Sequence, residues 1–161
     1  MRVRVGHGFD MHPLVAGRPL RLGGVTIAHE AGLAGHSDAD VVLHAIANAL
    51  LGAIGAGDLG RHFPPDDPRY HNINSELLLG EVVGYVQGRG CVVGNLDVTL
   101  VAQAPRLAEY VDVMVSRIAA LVGVPADAVN VKVSSPECLG ALGRGEGMAA
   151  WAVVVLDEKP G

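Results

Sequence analysis

This sequence has few cysteines and few aromatic residues, and its net charge is not positive. Two cysteines among 161 residues make no disulfide framework, and aromatic residues form only 4% of the chain, so aliphatic side chains must fill the core. The formal net charge of −5 argues against a nucleic-acid binder, which normally carries a basic face. It does not exclude a small phosphorylated substrate, because a metal ion and a few local cations can set the field of one pocket.

Long hydrophobic runs are also lacking. No uninterrupted apolar run approaches membrane-spanning length, and the first residues alternate like a strand instead of forming the apolar segment of a secretory signal. We therefore expect a cytoplasmic protein with reduced thiols and no membrane partner. Half of the residues are hydrophobic and 22 are glycine, which indicates many tight turns and close backbone approaches rather than disorder.

Strand and helix patterns alternate along the chain without a repeat or a linker. Apolar patterns predict strands at residues 1–5, 91–101, 129–133 and 148–156, the last of them buried on both faces. Residues 18–27 predict a hairpin or a bulged strand, and residues 29–35 a loop. Helices are predicted at residues 40–54, at residues 75–86, and from a first turn containing Pro105 to about Val122. The order is typical of a single α/β (α+β) domain over residues 1–161, with a mainly four-stranded sheet packed against helices.

An aspartate and two histidines suggest a metal site. Asp10 and His12 are two residues apart, so on an extended backbone both side chains point to the same side, and His44 follows near the start of a predicted helix. One carboxylate and two imidazoles form a three-ligand set for zinc with a fourth position open, and the lack of a thiolate favours a catalytic metal. The alternative is structural, with Asp10 capping a turn, His12 in a loop and His44 satisfied within the core.

The segment before His44, residues 36–40 (HSDAD), is polar. As a structural element it predicts a helix start in which Ser37 and Asp40 form a capping pair. Because a helix N-terminus is also an anion site, the structural and the functional roles can hold together.

Three further segments carry phosphate-binding chemistry. Ser134, Ser135 and Glu137 follow a strand end, where two hydroxyls and a carboxylate can hold a phosphate and a divalent cation such as Mg²⁺. Residues 143–147 (GRGEG) offer backbone N–H groups and the Arg144 guanidinium to a phosphate. Residues 102–107 join a strand to a helix, and their free backbone N–H and C=O groups can form hydrogen bonds with the edge of a nucleobase. Each segment alone is explained at least as well by an ordinary turn or loop.

Six segments occur together in an order and spacing that match one enzyme family. They are residues 8–12 (GFDMH), 36–40 (HSDAD) with His44, 57–60 (GDLG), 102–106 (AQAPR), 137–140 (ECLG) and 143–147 (GRGEG). Through them the sequence resembles the 2-C-methyl-D-erythritol 2,4-cyclodiphosphate synthase family of the non-mevalonate isoprenoid pathway over nearly the whole chain. The chain departs from the family pattern at Ala39, Pro65, Arg106, Pro136, Cys138 and Ala141, none of them a zinc-ligand position.

The resemblance implies a lyase that converts 4-diphosphocytidyl-2-C-methyl-D-erythritol 2-phosphate to 2-C-methyl-D-erythritol 2,4-cyclodiphosphate with release of CMP. The 2-phosphate is implied to attack the β-phosphorus of the same molecule, assisted by metal ions. The resemblance further implies a homotrimer with active sites at subunit interfaces and one zinc ion per subunit on Asp10, His12 and His44. A Mg²⁺ or Mn²⁺ ion is implied to bridge the substrate diphosphate, with Glu137 as its protein ligand.

The resemblance also assigns roles to individual residues. His36 and Ser135 are implied to stabilise the transition state. A central channel of the trimer is implied to hold an isoprenoid diphosphate between Phe9, Arg144 and Glu146. The implied substrate-binding residues are Asp10, Met11, His12, His36, Ser37, Asp58, Leu59, Gly60, Phe63, Pro64, Pro65, Asp66, Asp67, Ala102, Gln103, Ala104, Pro105, Arg106, Leu107, Ala108, Ser134, Ser135, Pro136, Glu137, Ala141 and Arg144.

Two rival functions stay open. A zinc-dependent phosphohydrolase would use water as the attacking group in place of the 2-phosphate. A trimeric isoprenoid-diphosphate-binding protein would have lost the chemistry, and the intact set of Asp10, His12 and His44 argues against that loss.

Overall fold

The computed structural model describes residues 2–159, so the predicted start of the first strand at Met1 and the outer ends of the predicted domain lie outside the described residues. The strands are β1 (Val3–Ala16), β2 (Leu20–Leu22), β3 (Val25–Ile27), β4 (Ala31–Leu33), β5 (Cys91–Val101), β6 (Val129–Ser134) and β7 (Gly147–Glu158). The helices are α1 (Val41–Ala53), α2 (Leu59–His62), α3 (Ser75–Gly88), α4 (Val111–Val122) and α5 (Gly140–Gly143). Short 3₁₀ turns occupy Pro68–Tyr70, Ala108–Tyr110 and Ala126–Ala128.

A mixed five-stranded sheet in the order β4-β1-β7-β5-β6 forms the centre of the fold. Strand β1 runs antiparallel to both β4 and β7, while β5 runs antiparallel to β7 and parallel to β6. Helix α1 packs on β1 and β7, α4 packs on β6, and α3 lies against α1, α4 and β5. One face of the sheet is therefore covered by helices, which confirms a single compact α+β domain. None of the helices within residues 2–159 is long and apolar enough to cross a membrane.

The sheet has one strand more than the four predicted from the sequence. Strand β4 lies within residues 29–35, which were predicted to be a loop, and it pairs with the end of β1. Its three residues, Ala-Gly-Leu, are too few to show an alternating pattern. Packing selects the strand instead, because a Cβ on Gly32 would lie 2.2 Å from the carbonyl oxygen of Pro19. The hairpin predicted within residues 18–27 is confirmed as the β2–β3 pair.

Strand β1 continues eleven residues beyond the predicted end at Val5, through both glycines that follow, and Ala16 is its last residue. A Cβ on Gly6 would lie 1.9 Å from the carbonyl oxygen of Ala49, and a Cβ on Gly8 would lie 1.9 Å from that of Ala45. Both distances are impossible for a real side chain. The two glycines therefore bring the backbones of β1 and α1 into close approach and do not loosen the strand.

Helix α1 confirms the prediction at residues 40–54, but the capping differs. The N-cap is Asp40, whose carboxylate accepts the Leu43 N–H at 3.1 Å. Ser37 is not the partner in a capping pair, because its Oγ accepts the Ala39 N–H at 3.1 Å in a local turn.

The helix predicted to begin around Pro105 begins six residues later, at Val111. An irregular loop after β5 and the 3₁₀ turn Ala108–Tyr110 occupy the intervening chain, so Pro105 is not in a first helical turn. The predicted end at about Val122 is confirmed, and Gly123 terminates the helix in the left-handed conformation at φ 76°.

The sheet face opposite the helices carries apolar side chains that this single chain leaves uncovered. We call this surface the open face; it includes Val3, Val5, Phe9, Met11 and Val153. Strand β7 was predicted to be buried on both faces. Its helix-side residues Ala152 and Val154 are fully buried, whereas Val153 is 42% exposed on the open face. That prediction is wrong for the isolated chain, because helices cover the sheet on one side.

Candidate metal and substrate site

Asp10, His12 and His44 converge on one point. Asp10 Oδ2 lies 2.9 Å from His12 Nε2 and 2.9 Å from His44 Nδ1, and these two ring nitrogens are 3.2 Å apart. All three residues are partly exposed, and one ligand atom from each lies within 4.8 Å of the others. The geometry brings together the three side chains that the sequence predicted as a metal site.

The β1–α1 contact creates this convergence. Asp10 and His12 lie on the side of β1 that faces α1, because they are two residues apart on one extended strand. Gly8 lets the strand backbone touch the helix at Ala45, the residue after His44. The close approach therefore brings the His44 ring to the two side chains of the strand.

Burial and interactions within the triad shift the pKa values of Asp10 and His12. Burial raises the pKa of Asp10, but hydrogen bonds with His12 and His44 and their charges lower it to about 2. Burial lowers the pKa of His12, whereas the hydrogen bond and charge of Asp10 raise it, so that the net shift is upward. A carboxylate oxygen and two imidazole nitrogens that face one another are a donor set that fits a tetrahedral zinc ion with one position left for a substrate oxygen.

Asp40 fixes the polar segment in front of the triad. Its side chain is fully buried and accepts the backbone N–H groups of Gly23 at 2.9 Å and Gly24 at 2.7 Å, in addition to that of Leu43. Burial raises the pKa of Asp40, and the three N–H donors oppose that rise. The carboxylate thus ties the β2–β3 hairpin to the start of α1.

The triad opens into a cavity of about 340 Å³, which we call the metal cavity. The predicted substrate-binding residues that line it, besides the triad, are His36, Ser37, Leu59, Gly60, Phe63 and Pro65. The sequence did not single out four further lining residues, Asn48, Tyr70, Ile73 and Leu78. Asn48 was detectable, because it follows His44 by one helical turn; its Oδ1 accepts the Leu59 N–H at 2.9 Å.

Several residues predicted to bind substrate near this cavity have other positions. Met11 points to the open face, because it alternates with Asp10 and His12 along β1. Asp58 caps α2 by accepting the Arg61 N–H at 3.0 Å. Asp67 Oδ2 forms an ion pair with Arg69 Nη2 at 2.6 Å. Pro64 and Asp66 lie in the same proline-rich loop.

A second cavity of about 510 Å³, which we call the loop cavity, lies at the ends of β5 and β6. The predicted residues that line it are Ala102, Gln103, Pro105, Arg106, Leu107, Ala108 and Ser135; Val111, Asp112 and Val133 line it as well. Gln103 Oε1 accepts the Cys138 N–H at 3.0 Å, which connects two segments that are far apart in the sequence. Ala104, Ser134 and Pro136 belong to the same two segments.

The remaining predicted residues are exposed at the surface of the single chain. Glu137 has a left-handed backbone at φ 54° and donates its N–H to Ser135 Oγ at 3.0 Å. Arg144 pairs with Glu146 at 2.6 Å, and Ala141 lies in α5. Phe9 packs against Trp151 of the neighbouring strand, with ring centroids 4.9 Å apart and the ring planes tilted by 48°. Within the described residues, Glu137 and Arg144 line neither the metal cavity nor the loop cavity.

Comparisons with known proteins agree on one family. The model of the YgbB family matches residues 3–157. A curated relative from Moorella thermoacetica, named 2-C-methyl-D-erythritol 2,4-cyclodiphosphate synthase, is 56% identical over 157 residues, which cover 98% of this chain and 96% of the relative. The bifunctional IspDF from Campylobacter jejuni superposes with a TM-score of 0.94 at 39% identity, over 98% of this chain and 43% of that protein. A solved 2C-methyl-D-erythritol-2,4-cyclodiphosphate synthase in a CDP-bound form superposes with a TM-score of 0.89 at 36% identity, over 96% of this chain and all of that one.

Proposed function

This chain belongs to the YgbB family. From that membership we propose how its residues catalyse the formation of a cyclic diphosphate with release of CMP. The enzyme is a lyase of the non-mevalonate isoprenoid pathway. It converts 4-diphosphocytidyl-2-C-methyl-D-erythritol 2-phosphate to 2-C-methyl-D-erythritol 2,4-cyclodiphosphate and releases CMP. A bond forms between a 2-phosphate oxygen and the β-phosphorus, the bond from the β-phosphorus to the oxygen that bridges it to the α-phosphorus breaks, and CMP leaves.

Asp10, His12 and His44 would hold one zinc ion in each subunit. The observation that carries this assignment is the convergence of one carboxylate and two imidazoles at the wall of the metal cavity. A zinc ion at such a site supplies Lewis-acid polarisation of a phosphate oxygen.

The protein groups act by binding and orienting an anionic substrate. Both reacting groups are phosphates of one molecule, so no protein nucleophile is needed and the barrier arises mainly from charge repulsion and orientation. His36 and Ser37 lie in the metal cavity, where they can donate hydrogen bonds to the methylerythritol side. The hydroxyl of Ser135 in the loop cavity and the guanidinium of Arg144 would offset the developing charge.

The loop cavity is the proposed site of the cytidine, and Glu137 beside it the proposed ligand of Mg²⁺ or Mn²⁺. The CDP-bound form of a relative supports a cytidine diphosphate ligand. Glu137 supports the ion because its exposed carboxylate offers the hard oxygen that Mg²⁺ prefers.

The chain is proposed to assemble as a homotrimer with active sites between subunits. Two features support this proposal: the open face leaves large apolar side chains uncovered, and within residues 2–159 the metal cavity and the loop cavity share no lining residue. Phe9 and the Arg144–Glu146 pair are proposed to line a trimer channel for an isoprenoid diphosphate. The domain bounds at residues 1 and 161 and the cytoplasmic location stay predictions.

Replacement of His44 by alanine tests the zinc assignment. We expect His44→Ala to lose zinc and turnover while the assembly stays intact, because the ring supplies one of three ligand atoms. Metal analysis, a CMP-release assay and the mass in solution measure the three properties. His71→Ala is the control, because His71 is exposed and belongs to neither cavity lining.

Full zinc occupancy in His44→Ala would refute the assignment. Phosphorus NMR of the product separates the reaction from its rival: a linear monophosphate in place of the cyclic diphosphate would indicate a phosphohydrolase.

A further inference from the structure

The ring of His44 has two nitrogens, and the proposed zinc site uses one of them. Nδ1 faces Asp10 and His12. Nε2 points the other way, to Ser75 Oγ at 2.9 Å and Ser37 Oγ at 3.1 Å. Ser75 is 1% exposed, so its hydroxyl has no access to bulk water. The second ring nitrogen of His44 therefore contacts a buried hydroxyl, that of Ser75, which has no role in the proposed reaction.

Ser75 is in turn held by Asp38. The Ser75 hydroxyl donates to Asp38 Oδ1, and the Ser75 backbone N–H donates to Asp38 Oδ2 at 3.1 Å. Asp38 Oδ1 also accepts the Asp40 N–H at 3.2 Å, and the guanidinium Nε of Arg21 lies 3.5 Å from Asp38 Oδ2. The carboxylate thus faces donors and a positive charge.

These contacts fix the direction of the hydrogen bonds. A carboxylate only accepts, so the single hydroxyl proton of Ser75 points to Asp38. The lone pairs of Ser75 Oγ are then left to accept, and the partner at 2.9 Å is His44 Nε2, which must carry a proton. With a proton fixed on Nε2, the ring can give up the proton that Nδ1 shares with Asp10. The neutral ring then offers its Nδ1 lone pair to a cation between Asp10 and His12.

We propose that Ser75 and Asp38 are positioning residues for the metal site, because they hold His44 in the tautomer whose Nδ1 can bind a cation. The inference rests on the zinc site proposed above. Helix capping does not account for the Ser75 hydroxyl, because Asn74 is the N-cap of α3 and its Oδ1 accepts the Glu76 N–H at 2.9 Å. The Ser75 hydroxyl instead donates to Asp38 and accepts from His44 Nε2, and it thereby connects the start of α3 to α1.

A comparison of Ser75→Ala with Asn74→Ala tests the inference by zinc affinity, measured by competition with a chelator on the full-length protein. Loss of a hydrogen-bond partner behind a metal ligand typically weakens metal binding about 10- to 100-fold. We expect that loss in Ser75→Ala. Asn74→Ala removes the cap of the same helix, so it should lower the melting temperature and leave the zinc affinity within about twofold of the wild type.

Asp38→Asn is the second variant. An asparagine amide can donate to Ser75 Oγ, so that the Ser75 hydroxyl donates to His44 Nε2 in turn and favours the tautomer without a proton on Nε2. We expect weaker zinc binding and, in the NMR spectrum of the zinc-loaded protein, loss of the slowly exchanging Nε2–H signal of His44 that the wild type should show.

Unchanged zinc affinity in Ser75→Ala would overturn the inference, and so would an equal loss in Ser75→Ala and Asn74→Ala. The lack of a protected Nε2–H in the zinc-loaded wild type would overturn it as well, even if the variants fail to fold. A wild-type chain that binds no zinc would overturn the proposed metal site together with this inference.

Discussion

Two acidic residues, Asp38 and Asp40, are separated by one position and have different surroundings. Asp38 accepts the hydroxyl proton of Ser75 behind His44, a residue of the proposed zinc site. Asp40 faces the opposite way and accepts three backbone N–H groups without solvent exposure. The left-handed backbone of Ala39, at φ 56°, separates the two directions. Asp38 thus supports the site, and Asp40 supports the fold around it.

Asp40→Asn should destabilise the protein while leaving the surface charge almost unchanged. An amide group offers one acceptor oxygen and places an N–H₂ against the N–H donors of Gly23, Gly24 or Leu43. We expect the free energy of unfolding to fall by about 2 kcal/mol, the penalty for buried polar groups left unpaired. Urea unfolding measures it, with Asp127→Asn as the control at an exposed aspartate. Equal stability of Asp40→Asn and the wild type would contradict the structural role.

At this scale the sequence predicted the three side chains of the proposed zinc site and missed the residues behind them. Asp10 and His12 follow from strand alternation, and His44 from the helix that begins beside them. Ser75 lies 31 residues after His44, and in the sequence its hydroxyl is indistinguishable from that of an ordinary helix start. The relation between Ser75 and His44 exists only through the packing of α3 on α1, which no local pattern encodes.

At the scale of elements, the contact between β1 and α1 controls the site. The two backbones touch at Gly6 and Gly8, where an alanine carbonyl of the helix occupies the place of a side chain. The sequence pattern ended the first strand at Val5, before these two glycines, because glycine alone does not tell a turn from a close approach. Their spacing of two residues on one strand face is the signal that distinguishes the close approach.

Gly8→Ala should therefore separate β1 from α1. We expect a loss of about 1–3 kcal/mol in the free energy of unfolding, typical of overpacking, together with weaker zinc binding, since His44 is carried by the displaced helix. Thermal unfolding and chelator competition measure the two effects. Gly52→Ala on α1 is the matched control. Its Cβ would meet only the His7 carbonyl oxygen at 3.8 Å, so the stability should rise by up to about 1 kcal/mol. Wild-type zinc affinity in Gly8→Ala would contradict this account.

Helices α3 and α4 are linked by an ion pair that makes their packing sensitive to acid. Glu76 accepts two hydrogen bonds from Arg117, at 2.6 and 2.7 Å, and these lower its pKa from 4.5. A carboxylate with a lower pKa in the folded chain adds stability above its unfolded pKa, and that stability is lost as the pH falls through the folded value.

Glu76→Gln should thus lower the melting temperature at pH 7 and have a diminishing effect below about pH 4.5, the ordinary value for this group. Melting curves of the wild type and the variant, both with a chelator present, measure the difference. A difference that stays constant from pH 7 to pH 3 would show that the ion pair does not stabilise the fold.

At the scale of the whole molecule, the open face is where the burial predicted from the sequence differs most clearly from the burial in the single chain. Strand β7 has the composition of a strand buried on both faces, and Val153 is nevertheless exposed. The trimer proposed above would cover that face. In such a trimer both faces of β7 would be buried, as its apolar composition predicts, whereas the single chain buries only one of them.

Val5→Asp should weaken the assembly. Val5 is 65% exposed on the open face, and a carboxylate there would be buried without a partner in a subunit interface. We expect light scattering to show a mass near that of one chain. Leu77→Asp is the control, because Leu77 is 62% exposed on α3, away from the sheet. A trimer of unchanged affinity in Val5→Asp would place the interface elsewhere.

The separation of the metal cavity from the loop cavity has a genetic consequence. If one chain supplies the metal and its neighbour supplies the nucleotide pocket, damage to either half leaves the other half usable. Two inactive alleles, one defective at His44 and one at Gln103, would then complement each other. In a trimer that contains both products, some active sites would combine an intact metal cavity from one chain with an intact loop cavity from its neighbour.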